Sequence, residues 1–286
     1  MILPPYQRGN LTNAQWQRLK PLLPAQKPNV GRPNNDHRTT INGVLWIART
    51  GAPWRDLPEQ YGAWQTVAGR FYRWRHSGIW GQILHRLQQQ ADADSKLNWE
   101  VHHVDGSVIR AHQHAAGAKR GGLDPESLLS EIEQVQQREA LGRSKGGFST
   151  KIHLRCDGNG LPITFLLTVG ERHETVVLEQ LMEQGAVKRA TSGRPRIRPV
   201  RVVGDKGYSS GAICRYLRRR GICFTIARKD NEKHRGKFDK SIYRTRNVVE
   251  RCFNRLKQFR RIATRYEKKA ENYLAMLTLA SIQLWL

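Results

Sequence analysis

Three carboxylates in this chain stand where side-chain chemistry calls for an explanation. Glu250 lies in YRTRNVVERCFNRLK, residues 243–257. On an α-helix advancing about 100° per residue, Tyr243, Arg246, Glu250 and Lys257 fall within roughly 60° of one another, and Asn254 and Arg261 extend that polar stripe. Val248, Val249, Cys252, Leu256, Phe259 and Ala263 take the opposite, apolar side. A single carboxylate among cations suits a metal ion beside a polyanionic substrate, although a solvated amphipathic helix with i, i+4 ion pairs would carry the same pattern. Asp105 interrupts WEVHHVDGSVIRAH, where Val101, Val104, Val108 and Ile109 read as a strand. Aspartate is depleted in strands, and Asp105-Gly106 could instead be a hairpin turn. Asp205 ends the apolar run VRVVG and is followed by KGYSS and a helix, the strand end at which α/β sheets usually place their chemistry.

The elements that must position these groups can be read in order. Thr12 caps a short helix through Trp16, Leu19 and Leu22, and Asp36 caps a second that carries Ile41, Val44, Leu45 and Ile47 to Gly51. A third helix, from about Gly62, sets Trp64, Val67, Ala68, Phe71 and Trp74 on one face, with Gln65, Thr66, Arg70 and Arg73 opposite. A fourth runs from Trp80 to about Ala91. Short helices with a basic face opposite the core stripe are how a helix-turn-helix DNA reader looks, and also how many small bundles look. After the Asp105 strand, DPESLLSEIEQVQQREALG reads as an amphipathic helix, the one acidic island, in an insert at about 124–142. GRSKGGFSTK is a basic Gly-rich loop suited to phosphate, with Lys145 and Lys151. KIHLRCD and LPITFLLTVG form a hairpin through DGNG, where Asp157 is a turn residue and a weaker alternative acid. A helix opens at His173-Glu174-Thr175, then come the Asp205 strand, a helix from Ser210, the strand ICFTIA, a basic loop from Arg228 to Lys240, the Glu250 helix and an apolar helix from Tyr273.

The chain has 286 residues and a formal charge of +25. That surplus points to a polyanion, and nucleic acid is favoured over membrane because no apolar run approaches the ~18 residues needed to span. No signal-peptide pattern opens the chain. Cys156, Cys214, Cys223 and Cys252 form no CxxC pair, which argues against a zinc ribbon or disulfide framework and fits a reducing cytoplasm. His102, His103, His112 and His114 crowd the Asp105 strand, so a zinc metallohydrolase is a rival reading.

Tyr, two residues, Arg, three residues, Glu, six residues, Lys resembles the signature around the last acid of bacterial insertion-sequence transposases of the Asp-Asp-Glu class, insertion-sequence five family. GAPWRDLPEQYGAWQTVAGRFYRW is similar to the N-terminal domain of that family, DGS to its first aspartate motif and GDKGY to its second. The resemblance implies a small all-α helix-turn-helix-like domain over 1–95, then a ribonuclease H-like α/β domain over 96–286. It implies Asp105, Asp205 and Glu250 as catalytic acids holding two Mg²⁺ ions, with Mn²⁺ as substitute. It further implies cleavage of transposon ends and joining of the 3′-hydroxyl to target DNA by a homodimer or larger assembly, in the cytoplasm and associated with the nucleoid. DNA contacts are expected from Tyr243, Arg246, Lys257, Asn254, Arg261, Lys145, Lys151, Lys206, Gln65, Thr66, Arg70 and Arg73. A catalytically inactive DNA-binding regulator is the other alternative, and it would need the basic surface without the three acids.

Overall fold

The computed structural model describes residues 9–27, 35–116, 139–144, 146–228 and 238–286. Most of the insert expected near 124–142, the greater part of the basic loop after Arg228, and Lys145 lie outside the described residues.

The chain begins with helices whose ends are set by local chemistry. The Thr12 hydroxyl accepts from the Gln15 amide while the Gln15 side chain accepts from the Thr12 amide, a reciprocal cap for α1 (Asn13–Leu19). Asp36 caps α2 (His37–Thr50) through the Thr39 amide at 2.7 Å, and Gly51 ends it in a left-handed conformation. Two short 3₁₀ turns occupy the APWRDLPEQY stretch before α3 (Trp64–His76) and α4 (Ile79–Ala93).

A seven-stranded mixed sheet follows. Its strands are β1 (Val101–Ala111), β2 (Gly142–Ser144), β3 (Gly147–Cys156), β4 (Pro162–Val169), β5 (Arg201–Gly204), β6 (Cys223–Ile226) and β7 (Thr264–Arg265). β1 runs straight through Asp105-Gly106, which pair with Leu154 and His153 of antiparallel β3, so the dipeptide is not a turn. On its other side β1 pairs in parallel with β5, and β5 with β6. β4 pairs with the far edge of β3, giving the lateral order β4-β3-β1-β5-β6. One antiparallel excursion followed by parallel strands around a central first strand is the ribonuclease H-like arrangement.

Helices cover both faces. On one side lie α5 (Leu178–Gln184) and α6 (Gly211–Arg219), whose Leu178, Leu181, Ile213 and Leu217 pack with Val104, Val202 and Tyr208. On the other lie α8 (Asn247–Lys257), preceded by the short α7 (Lys240–Arg244), with α9 (Arg260–Ala263) and α10 (Ala270–Trp285). That second core is continuous with the N-terminal helices: Ile41, Phe71 and Leu87 belong to the same buried cluster as Ile109, Leu154, Val249 and Met276. Burial of Val249 and Leu256, 0% and 1% exposed, contributes about 1.5–3 kcal/mol each and fixes the face α8 turns inward.

Two cations placed on exposed faces by sequence pattern are interior. Arg70 is 4% exposed, lies 3.0 Å from His37 Nδ1 and sits over the Trp74 ring, because the bend from α2 to α3 brings His37 beneath it. Arg261 is 7% exposed, ion-pairs with Glu267 and donates to the Ala52 carbonyl at 2.8 Å. It therefore ties the C-terminal helices to the turn after α2 instead of extending the α8 stripe. Replacing Glu267 with Ala would leave that guanidinium buried without its carboxylate, and denaturant unfolding should register a loss of about 3–5 kcal/mol. A loss below ~1 kcal/mol would mean that the Ala52 carbonyl alone satisfies Arg261.

Candidate active site

Parallel pairing of β1 with β5 ends at Val104 opposite Gly204. The next residue on each strand is an aspartate, so Asp105 and Asp205 sit side by side at the centre of the sheet. The Gly106 amide donates to Asp105 Oδ1 at 2.8 Å and the Gly207 amide to Asp205 Oδ1 at 2.9 Å, which orients both carboxylates through their own next turn of backbone. Asp205 also caps the 3₁₀ turn Lys206–Tyr208, and Lys206 beside it is exposed.

Glu250 arrives from α8. The single helix expected over 243–257 is divided: α7, capped by Asp239, ends at Arg244, and the Thr245 hydroxyl donates back to the Ile242 carbonyl at 2.6 Å. Thr245, Arg246, Val248 and Val249 then make i→i−3 bonds before α8 settles. In that tighter geometry residues three apart eclipse, so Arg246 stands over the Tyr243 ring at 5.9 Å and the stripe survives the break. Arg246 reaches Glu250 Oε1 at 2.7 Å and approaches Asp105 Oδ2 at 3.7 Å. One guanidinium thus joins helix carboxylate to strand carboxylate.

Lys257, two turns further along, donates to Ser107 Oγ at 2.8 Å. Ser107 shares a strand face with Asp105, which places the Lys257 ammonium on the carboxylate side of β1. Tyr243 also packs against Phe238. Asn254 lines a cavity of about 390 Å³ with Asn159, Gly160, Arg251, Arg255 and Gln258, beside the β3–β4 turn. Lys151 departs from expectation: GRSKGGFSTK is mostly strand, and the Lys151 ammonium is buried against Glu174 and the Arg172 carbonyl at 3.2 Å. On α3, Gln65 and Arg73 are exposed and Thr66 is half-buried. Asp157 is spent on its turn, accepting from the Leu161, Asn159 and Asn98 amides. Sequence reasoning missed Ser107 and Glu174, whose partners Lys257 and Lys151 are far away along the chain.

The histidines do not assemble. His102 accepts from Arg155 Nε at 3.0 Å and is fully buried. His103 is also buried, and desolvation pushes it down to about 4. His112 stacks on Tyr266 with His114 against it at 4.5 Å.

Burial, the neighbouring Asp205 and Glu250 raise the Asp105 carboxyl to about 6, against the lowering influence of the Gly106 amide and Arg246. Among the described residues no three His, Cys, Asp or Glu side chains already converge on one point. Arg246 lies between two of the three carboxylates, Asp105 and Glu250, while Asp205 neighbours Asp105 across the β1–β5 pairing. Their chemistry nonetheless fits a hard divalent cation: the donors are all oxygen, and like charge has accumulated until one carboxyl resists ionising.

A mixed sheet with one aspartate inside its central strand, a second just past the end of the neighbouring parallel strand and a glutamate on a covering helix has the layout of a polynucleotidyl-transfer class of enzyme. Comparison with known families agrees. Residues 100–285 match the family described as "Transposase DDE domain" and residues 11–84 that described as "Putative transposase of IS4/5 family". The chain belongs to the DDE transposase family. It is 38% identical over 121 residues to "Uncharacterized protein y4sN" of Sinorhizobium fredii, covering 42% of this chain and 92% of that protein. It is 33% identical over 182 residues to the "Putative transposase for insertion sequence element IS402" of Burkholderia cepacia, covering 61% of this chain and 82% of the relative. The cryo-EM structure of a piggyBac transposase synaptic complex with hairpin DNA aligns at a TM-score of 0.45 and 10% identity, over 93% of this chain and 69% of that one. The chain is accordingly a DNA transposase, an enzyme that acts on DNA and depends on divalent metal. Among the described residues no helix is long and apolar enough to cross a membrane.

The raised Asp105 pKa has a thermodynamic consequence. Its folded value of about 6 lies above the ordinary 3.8, so the unfolded chain ionises first as pH rises, and stability is lost between those values. At pH ~8 the ionised group costs the metal-free fold up to about 3 kcal/mol. Asp105→Asn should therefore raise the urea midpoint at that pH, and the gain should vanish below pH ~4. An unchanged midpoint at pH ~8 would contradict a desolvated carboxylate.

Proposed function

We propose that Asp105, Asp205 and Glu250 are the acids of the transposition reaction, and that they hold two Mg²⁺ ions for which Mn²⁺ can substitute. The observation that carries this reading is the β1–β5 register, which sets Asp105 beside Asp205 with Glu250 one guanidinium away. When bound, the ions supply positive charge to the attacking and leaving oxygens of a phosphodiester, which otherwise repels nucleophiles.

The chain's own residues do the rest. The Gly106 and Gly207 amides each hold one oxygen of an aspartate in place. Arg246, which now neutralises Asp105 and Glu250, is freed to meet a phosphate once those carboxylates have another partner. Lys257, held by Ser107, and exposed Lys206 flank the aspartates as further phosphate contacts. Tyr243 offers a ring to a flanking nucleotide. Cleavage of a transposon end and joining of its 3′-hydroxyl to target DNA are both in-line displacements at phosphorus, so one site can serve both.

Residues 1–95 read the end sequence and residues 96–286 carry the chemistry in this account. Exposed Gln65 and Arg73, with half-buried Thr66, form the base-reading face, without buried Arg70. Two ends must be joined, which calls for at least a homodimer on double-stranded DNA, acting at the nucleoid in the cytoplasm. Gln65→Ala with Arg73→Ala should weaken binding to end DNA more than to random DNA in a gel-shift titration; equal losses would reduce α3 to a phosphate contact.

The test of the acids is cleavage of labelled end DNA by purified protein, with binding measured on the same samples. Glu250 is half-exposed on its helix, so Glu250→Gln should keep fold and binding while cleavage falls by more than ~10³-fold. Cleavage at the wild-type rate would overturn the assignment. Loss of binding together with cleavage would make Glu250 a structural partner of Arg246 instead.

A further inference from the structure

A fourth carboxylate approaches the same two segments, beside Gly106 and Gly207. β4 ends at Val169, and the chain returns through His173-Glu174-Thr175, where His173 accepts from the Thr175 amide and opens a 3₁₀ turn into α5. Glu174 does not project into solvent. Its side chain is 18% exposed and ion-paired with Lys151, itself 11% exposed.

Two glycines define where that pair sits. A Cβ on Gly106 would stand 2.9 Å from Lys151 Cε and 3.4 Å from Glu174 Oε1. A Cβ on Gly207 would stand 3.1 Å from Glu174 Oε2. The two oxygens of Glu174 therefore face Gly106, one residue after Asp105, and Gly207, two residues after Asp205, and both positions are open only because they lack a side chain. Next to Gly207 the buried Tyr208 hydroxyl has no hydrogen-bond partner among the described residues. The Asp105, Glu174 and Asp205 carboxylates all bear electrostatically on that hydroxyl.

We propose that Glu174 is a positioning residue of the reaction centre, with Lys151 as its charge partner: the carboxylate braces the Asp105-Gly106 step and the Asp205-Lys206-Gly207 turn against each other and sets the charge beneath them. The inference rests on the assignment of Asp105 and Asp205 as metal-holding acids. With both members present the pair is neutral. Removal of the Glu174 charge leaves an ammonium buried beneath a cation site, and removal of the Lys151 charge leaves a carboxylate there. Opposite effects on cation affinity follow, and a pair that only stabilises the fold would not produce them.

The experiment measures Mn²⁺ binding to the purified full chain without DNA, by the electron paramagnetic resonance signal of the free ion, alongside thermal unfolding of each variant. Glu174→Gln should weaken Mn²⁺ binding by about 10–100-fold, the range typical of groups that orient metal ligands. Lys151→Met should bind at least as tightly as wild type. The double variant Lys151→Met/Glu174→Gln, which buries no lone charge and guards against a folding defect, should return affinity to near wild type. Wild-type affinity in Glu174→Gln, or losses of affinity that merely follow Tm in all three variants, would overturn the proposal. Asp205→Asn separates the two levels of the argument. If it binds Mn²⁺ normally, the acid assignment fails and this inference with it; if it loses Mn²⁺ while Glu174→Gln does not, only the role of Glu174 fails.

Discussion

The lateral pairing of β1 with β5 is the constraint on which the rest depends. Their ladder ends at Val104 opposite Gly204, and flanking Val104, Val202 and Val203 are fully buried. A slip of one residue would turn those side chains toward the wrong layer, so the apolar flanks lock the register that sets Asp105 beside Asp205. Burial of Asp105, with the Asp205 charge beside it, makes its carboxyl resist ionising. Arg246, approaching from α8, offsets part of that cost.

That arrangement changes how the basic composition should be understood. A charge of +25 invites the picture of cations spread over a DNA-facing surface. Several of the cations are instead structural. Arg155 is fully buried and donates to His102 and to the carbonyls of Met182 and Ile197. Arg261 and Arg265 serve the junction between the C-terminal helices, β3 and the turn after α2. Arginine suits these places because its planar fork can satisfy several carbonyls at once without giving up its charge. Net charge therefore overstates the number of cations available to a polyanion.

The sequence was most informative where the determining chemistry is local. Thr12, Asp36 and Ser210 cap the helices their positions imply, and the DGNG turn joins β3 to β4. The strand through Asp105 and the strand ending before Asp205 were legible from their apolar flanks, while the role of both carboxylates came from the family resemblance. What pattern alone could not disclose depends on distant partners. Arg70 meets His37 and Lys151 meets Glu174, while Arg261 meets Ala52 across most of the chain. A cation reads as exposed until its partner is known. The helix break at Thr245 was hidden for a different reason: a tight turn preserves i, i+3 neighbours, so the stripe looked continuous at 100° per residue.

The central claim is that strand register, more than the number of acidic or histidine side chains, creates the metal site. A crystal of the full chain grown with Mn²⁺ and measured near the manganese absorption edge tests it directly. The account predicts anomalous density touching both the Asp105 and Asp205 carboxylates, with the Arg246 guanidinium withdrawn from Asp105. Density at His112 and His114, with Asp105 still facing Arg246, would contradict it.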